Sequence, residues 1–132
     1  MTISFACAAS HAPGITAWSE AAPAAQKDTV YGAFGELRAR LEASGAEALI
    51  LLTSEHWANF FLDHMGAFCV GRAAFFTGPV EPWLKVEKTR IQGDPALAQA
   101  LIEHCYANDL EPAYAQEMAF TMVPWSKAIS CA

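Results

Sequence analysis

The hydrophobic pattern of this 132-residue chain changes period several times, and each change marks an element. Residues 2–8 form a short, mostly apolar run that reads as a buried strand. Residues 9–27 are rich in Ala, Pro and Ser, too long for an ordinary strand-to-helix connection, which points to a functional loop. Val30, Phe34, Leu37 and Leu41 then recur at helical spacing, with Glu36, Arg38, Arg40 and Glu42 off that face. The spacing predicts a helix over 29–43, with Asp28 as its N-cap and Gly45 as its stop. Residues 47–53 centre on the apolar run Ala48-Leu-Ile-Leu-Leu52, the pattern of a strand buried on both faces of a parallel sheet.

Downstream, residues 57–71 are aromatic and apolar, with Trp57, Phe60, Phe61, Met65 and Phe68 available to wall a pocket or fill a core. Ala73-Ala-Phe-Phe-Thr77 reads as a short strand broken by Gly78-Pro79, and residues 79–93 as an irregular, charged stretch. Asp94-Pro95 predicts a helix to about Asn108, with Leu97, Leu101 and His104/Cys105 on one face. Glu111 to Phe120 reads as extended. No repeat, low-complexity tract or linker divides the chain, so one domain over residues 1–132 is expected.

The first half is a strand-loop-helix-strand unit, and such crossovers are right-handed with parallel strands. Parallel neighbours lie about 4.8 Å apart, so residues just past their carboxyl ends can meet. Ligands of open α/β sheets bind at that edge. His11 follows the first predicted strand and His56 the second, so the pattern places both imidazoles at one edge. The expected fold class is α/β, three-layer-like, with a mostly parallel central sheet flanked by helices, in an incomplete domain.

Composition narrows the function classes. A net charge of −6 argues against nucleic acid, whose phosphates require clustered Lys and Arg. The local basic group Lys85, Lys88 and Arg90 reads as a solvated loop. Hydrophobic residues make up 54% of the chain and charged ones 17%, a balance that favours association with a second copy or another subunit. No stretch reaches the length of a membrane span, and no secretory signal opens the chain, so a cytoplasmic protein is expected. Cys7, Cys69, Cys105 and Cys131 form no Cys-x-x-Cys, which disfavours structural zinc and favours reduced, structural thiols.

A single histidine near an apolar element is most often structural, but two at equivalent strand ends even those odds. Neutral imidazole is the commonest protein ligand for transition metals, and two His plus one carboxylate leave open positions on Fe(II). Glu20, Glu55 and Asp63 are the local carboxylates, none with a distinguished position. His64 is a further pocket residue to weigh, whereas His104, on a helical stripe, reads as partly buried core. There is no Gly-x-Ser-x-Gly, P-loop or Gly-x-Gly-x-x-Gly.

Three segments resemble one family. Ser10-His11-Ala-Pro-Gly-Ile15, Thr53-Ser-Glu-His56-Trp-Ala-Asn-Phe60-Phe61 and Met65-Gly-Ala-Phe-Cys-Val-Gly71 are similar to class III extradiol ring-cleavage dioxygenases. The likeness is to the catalytic (beta) subunit of the protocatechuate 4,5-dioxygenase type, and extends to about residue 124. It implies that His11 and His56 are catalytic iron ligands, with Fe(II) as cofactor and Zn(II) as the alternative. It implies a catecholic substrate and O₂, with ring cleavage beside the hydroxylated carbons. Pro13, Trp57, Asn59, Phe60 and His64 fall where a substrate pocket is expected.

Two departures accompany the resemblance. Family members carry Asp-His-Gly before a Val-Pro, whereas Glu117-Met-Ala-Phe120 here runs directly into Thr121-Met-Val-Pro124. The family's Glu ligand comes from a later region, and residues 125–132 read as an atypical tail. Two readings therefore stand: an iron-dependent dioxygenase with an incomplete ligand set, or a catalytically inactive binding module on the same fold.

Overall fold

A computed structural model describes residues 2–54 and 56–120. Two short 3₁₀ turns, Pro13–Ile15 and Ser19–Ala21, lead into helix α1, Ala24–Ala43. There follow strands β1 (Cys69–Gly71) and β2 (Phe75–Gly78), a 3₁₀ turn at Pro82–Leu84, and strand β3 (Thr89–Gln92). Helix α2 (Pro95–Tyr106) and strand β4 (Ala113–Ala115) complete the order. The fold is α/β: β1 pairs with β4 in parallel, and β2 pairs with β3 in an antiparallel hairpin. That architecture is compatible with an incomplete α/β domain.

The predicted helices form, with one boundary moved. Helix α1 begins at Ala24 behind Pro23, five residues before the expected start, because two alanines extend the helix easily and Pro needs no partner for a missing N–H. Asp28 thus sits inside the helix rather than capping it. The stop is as expected: Gly45 takes a left-handed φ of 66°, which ends the helix without steric cost. The apolar stripe of α1 is only partly covered; Phe34, Leu37 and Leu41 are half-buried and Val30 is exposed. Helix α2 starts as read, with the Asp94 carboxylate accepting from Leu97 N–H at 2.9 Å and Pro95 in the first turn. Ile102 is its buried residue, while His104, expected to be partly buried, is exposed.

The strands differ more. Residues 2–8 and 47–53 carry no strand ladder, so the strand-helix-strand crossover predicted for the first half is not formed. Leu49, Ile50, Leu51 and Leu52 are exposed, as is Cys7. An apolar strand is stable only when neighbours satisfy its backbone groups and cover both faces, and those neighbours are absent among the described residues. The parallel pair instead joins β1 to β4 across the hairpin and α2, in register Cys69 to Ala113 and Gly71 to Ala115. Residues 79–93, read as irregular, contain β3, where Thr89 and Ile91 are half-buried and Arg90 and Gln92 exposed. This period-2 alternation is the strand signature, too short to stand out beside Glu87 and Lys88.

Glycines admit close approaches around the hairpin. A Cβ on Gly93 would collide with the Ala73 carbonyl and meet the Phe76 ring at 2.7 Å, so only glycine admits this approach. A second small core sets buried Ala17 against Leu84, with Val86 beside them. No helix of the described residues is long and apolar enough to cross a membrane.

Gly93→Ala is therefore expected to destabilise the fold by about 1–3 kcal/mol, since backbone blocks the added methyl. Gly14→Ala, where nothing lies within 4 Å, is expected to be near neutral. Chemical denaturation of both variants measures the contrast.

Candidate functional site

Two loops converge to form the site. The first carries His11. Ser10 Oγ accepts from Ala12 N–H at 3.2 Å, and Pro13 opens the following 3₁₀ turn, its fixed φ suiting that position. This loop is fastened at several points. Tyr31 Oη on α1 donates to the Ile15 carbonyl at 2.6 Å, and buried Ala17 packs on Leu84. Trp18 stacks on Trp83 with centroids 5.5 Å apart, and Lys85 Nζ reaches Glu20 at 3.3 Å. The long loop is thus an ordered arm rather than a slack connection.

The second loop carries His56 through an uncommon backbone. His56 and Trp57 both take left-handed φ values, 58° and 60°. Each non-glycine residue there costs about 1–2 kcal/mol, so the turn persists only where other contacts over-determine it. Asn59 provides such a contact: its Nδ2 donates to the Ala119 carbonyl at 2.9 Å, and its Oδ1 accepts from Ala119 N–H at 3.0 Å. Ala119 is itself bridged to Thr77, and Phe120 N–H donates to the Thr77 carbonyl at 3.2 Å. The His56 turn is thereby tied to β2.

These arms bring the two imidazoles into contact from positions 45 residues apart. His11 Nε2 and His56 Nε2 are 2.9 Å apart, with ring centroids at 4.8 Å and planes inclined by 40°. Between neutral rings that separation suits one nitrogen donating and the other accepting. His11 is half-buried and His56 exposed, so the pair faces an accessible edge.

The other predicted pocket residues differ in exposure. Pro13 and Phe60 are half-buried, whereas Trp57 and His64 are exposed. The Asn59 amide is engaged by Ala119. Of the local carboxylates, Glu20 is held by Lys85, Asp63 is exposed, and Glu55 lies outside the described residues. No group of three or more His, Cys, Asp or Glu able to hold a metal occurs among the described residues. An open groove of about 340 Å³ runs beside Ala119, lined by Phe75, Thr77, Gln116, Glu117 and Met118. Sequence reading missed Tyr31, Ala119 and the Trp18–Trp83 stack, because each acts across long separations that leave no periodic trace. Cys7, Cys69 and Cys105 are free thiols, burial pushing that of Cys69 up, and Cys131 lies outside the described residues.

Glu20 is the acid with a distinct shift. A backbone hydrogen bond, and then Lys85, hold its carboxyl below the usual value. A lowered folded pKa stabilises the fold above the unfolded pKa, and that contribution disappears as pH falls through the folded value. The stability difference between the wild type and Glu20→Gln is expected to be small at neutral pH and to vanish on acidification. Unfolding curves at pH 7 and pH 3, read by Trp18 and Trp83 fluorescence, test this.

Comparison with known proteins gives one informative likeness. The chain is 30% identical over 109 residues to the 2,3-dihydroxyphenylpropionate/2,3-dihydroxicinnamic acid 1,2-dioxygenase 2 of Dechloromonas aromatica (strain RCB). The aligned region covers 83% of this chain and 32% of that protein, so the chain spans about a third of the relative's length. No family model and no solved structure matches. The similarity gives no support to the protocatechuate 4,5-dioxygenase beta-subunit type in particular; it supports a relationship to the class III extradiol dioxygenases.

Proposed function

We propose that this chain carries the two-histidine part of a non-haem Fe(II) centre used in extradiol cleavage of a catecholic ring by O₂. The observation that carries this reading is the convergence of His11 and His56 through their Nε2 atoms at 2.9 Å. Two imidazole nitrogens each about 2.1 Å from one ion, at a right angle, lie about 3 Å apart, so the pair fits two adjacent positions of an octahedral metal. Both donors belong to accessible loops, as an open metal face requires. Similarity to a dioxygenase over most of the chain supports the same chemistry.

When bound, the metal would supply a place for both hydroxyls of a catechol and for O₂. The chain's own part would be to present the Nε2 atoms of His11 and His56 side by side. The His11 arm is braced by Tyr31 and Leu84, and the His56 turn by Asn59. Trp57 and Phe60, beside His56, offer aromatic surface for a planar ring. Two neutral donors leave the remaining positions, including a carboxylate, to other residues. Association with a second copy or another subunit is one source of them, and the exposed run Leu49–Leu52 offers apolar area for it.

Anaerobic titration with Fe(II) tests the centre. His11→Ala and His56→Ala are each expected to weaken binding at least tenfold, and the double variant no further than the weaker single one. Yellow ring-fission product from a catechol under O₂ is expected only with Fe(II) and both histidines. A folded protein whose Fe(II) affinity ignores both substitutions would favour the inactive binding module, and zinc retained on purification without added metal would favour Zn(II). For association, light scattering is expected to report species larger than a monomer, and Leu51→Glu with Leu52→Glu to reduce them. A clean wild-type monomer contradicts that part.

A further inference from the structure

We infer that Asn59 is the positioning residue of the histidine pair: its clasp on Ala119 holds the left-handed turn that delivers His56 Nε2 to His11. The functional weight of this inference rests on the two-histidine reading above, but its geometry does not. Asn59 closes the turn that begins at His56, three residues on, and is half-buried where His56 and Trp57 are exposed. Its carboxamide meets Ala119, 60 positions away, with a donor and an acceptor together, as a rung of a strand ladder would. The partner is well seated. Ala119 bridges to Thr77, Phe120 N–H donates to Thr77, and Val80 N–H donates to Phe120 at 3.3 Å. Release of the clasp would leave two consecutive non-glycine residues in a conformation that L side chains avoid. The turn would relax, and His56 would leave His11.

The chemistry selects asparagine. Aspartate offers the acceptor for Ala119 N–H but no donor, and sets a carboxylate against the Ala119 carbonyl. Glutamine carries the same amide one methylene too far, and alanine carries neither group. Asn59 acts through the backbone of Ala119, so its effect is read in the position of His56.

Imidazole ¹⁵N NMR of the full chain without metal provides the test. His56→Ala is expected to shift the His11 Nε2 resonance, because the two nitrogens are in contact. Asn59→Ala and Asn59→Asp are expected to move His11 towards that same value, leaving His104 unchanged. Adding His56→Ala to Asn59→Ala is expected to move His11 no further. Trp57→Gly in the Asn59→Asp background is expected to restore part of the shift, because glycine accepts positive φ freely. A His11 resonance that ignores Asn59→Asp overturns the inference; so does an Asn59→Asp chain that fails to fold, which would assign Asn59 to the fold as a whole. Co(II), followed by quenching of tryptophan fluorescence, adds the functional readout, with about a tenfold or greater loss of affinity expected for Asn59→Asp. If His11→Ala leaves Co(II) affinity unchanged, the metal reading fails, while the NMR result still judges Asn59.

Discussion

Two hydrogen bonds between the Asn59 carboxamide and the backbone of Ala119 join the part of the chain that carries His56 to the β2–β3 hairpin. The constraint arises from the backbone. Left-handed φ at two successive side-chain-bearing residues is unfavourable locally and needs a contact that selects it. A contact 60 positions away does, and it is strong in the relevant sense: a half-buried amide satisfied at both ends is costly to leave unmade. The hairpin can serve as anchor because β2 and β3 are laddered, with glycines admitting Phe76 and Phe120 closely.

The His11 arm is secured differently. It has no strand to rest on, and is held by side chains: the Tyr31 hydroxyl on Ile15, Ala17 under Leu84, and the Trp18–Trp83 stack. These contacts order a loop whose composition gives it little intrinsic structure. The two imidazoles therefore meet because separate supports place them, one through α1 and the turn at Pro82–Leu84, the other through β2. A site assembled this way depends on tertiary contacts more than on any single element.

Much apolar surface remains outside the core, with Leu49–Leu52, Phe61, Leu62 and Met65 all exposed. Each fully buried aliphatic side chain contributes about 1.5–3 kcal/mol, a gain these residues do not realise within the described chain. The same economy explains why residues 47–53 have the composition of a central strand but no ladder. His11 and His56 converge in a chain similar to a longer dioxygenase, and this exposed apolar run lies just before His56 in sequence.

Local signals alone determined much of this protein. Asp94-Pro95 set the start of α2, Gly45 the end of α1, and Gly78 with Pro79 the end of β2, because each acts through its own φ, cap or missing donor. The sequence also singled out His11 and His56 as a pair, although the sheet edge invoked for their meeting did not form. Tertiary structure decided what periodicity cannot encode. It chose β1 and β4 as the parallel pair over the more apolar runs at 2–8 and 47–53, since a ladder needs a partner at hydrogen-bonding distance. It also decided that Asn59 holds backbone, through a contact 60 residues away whose energy no local pattern records.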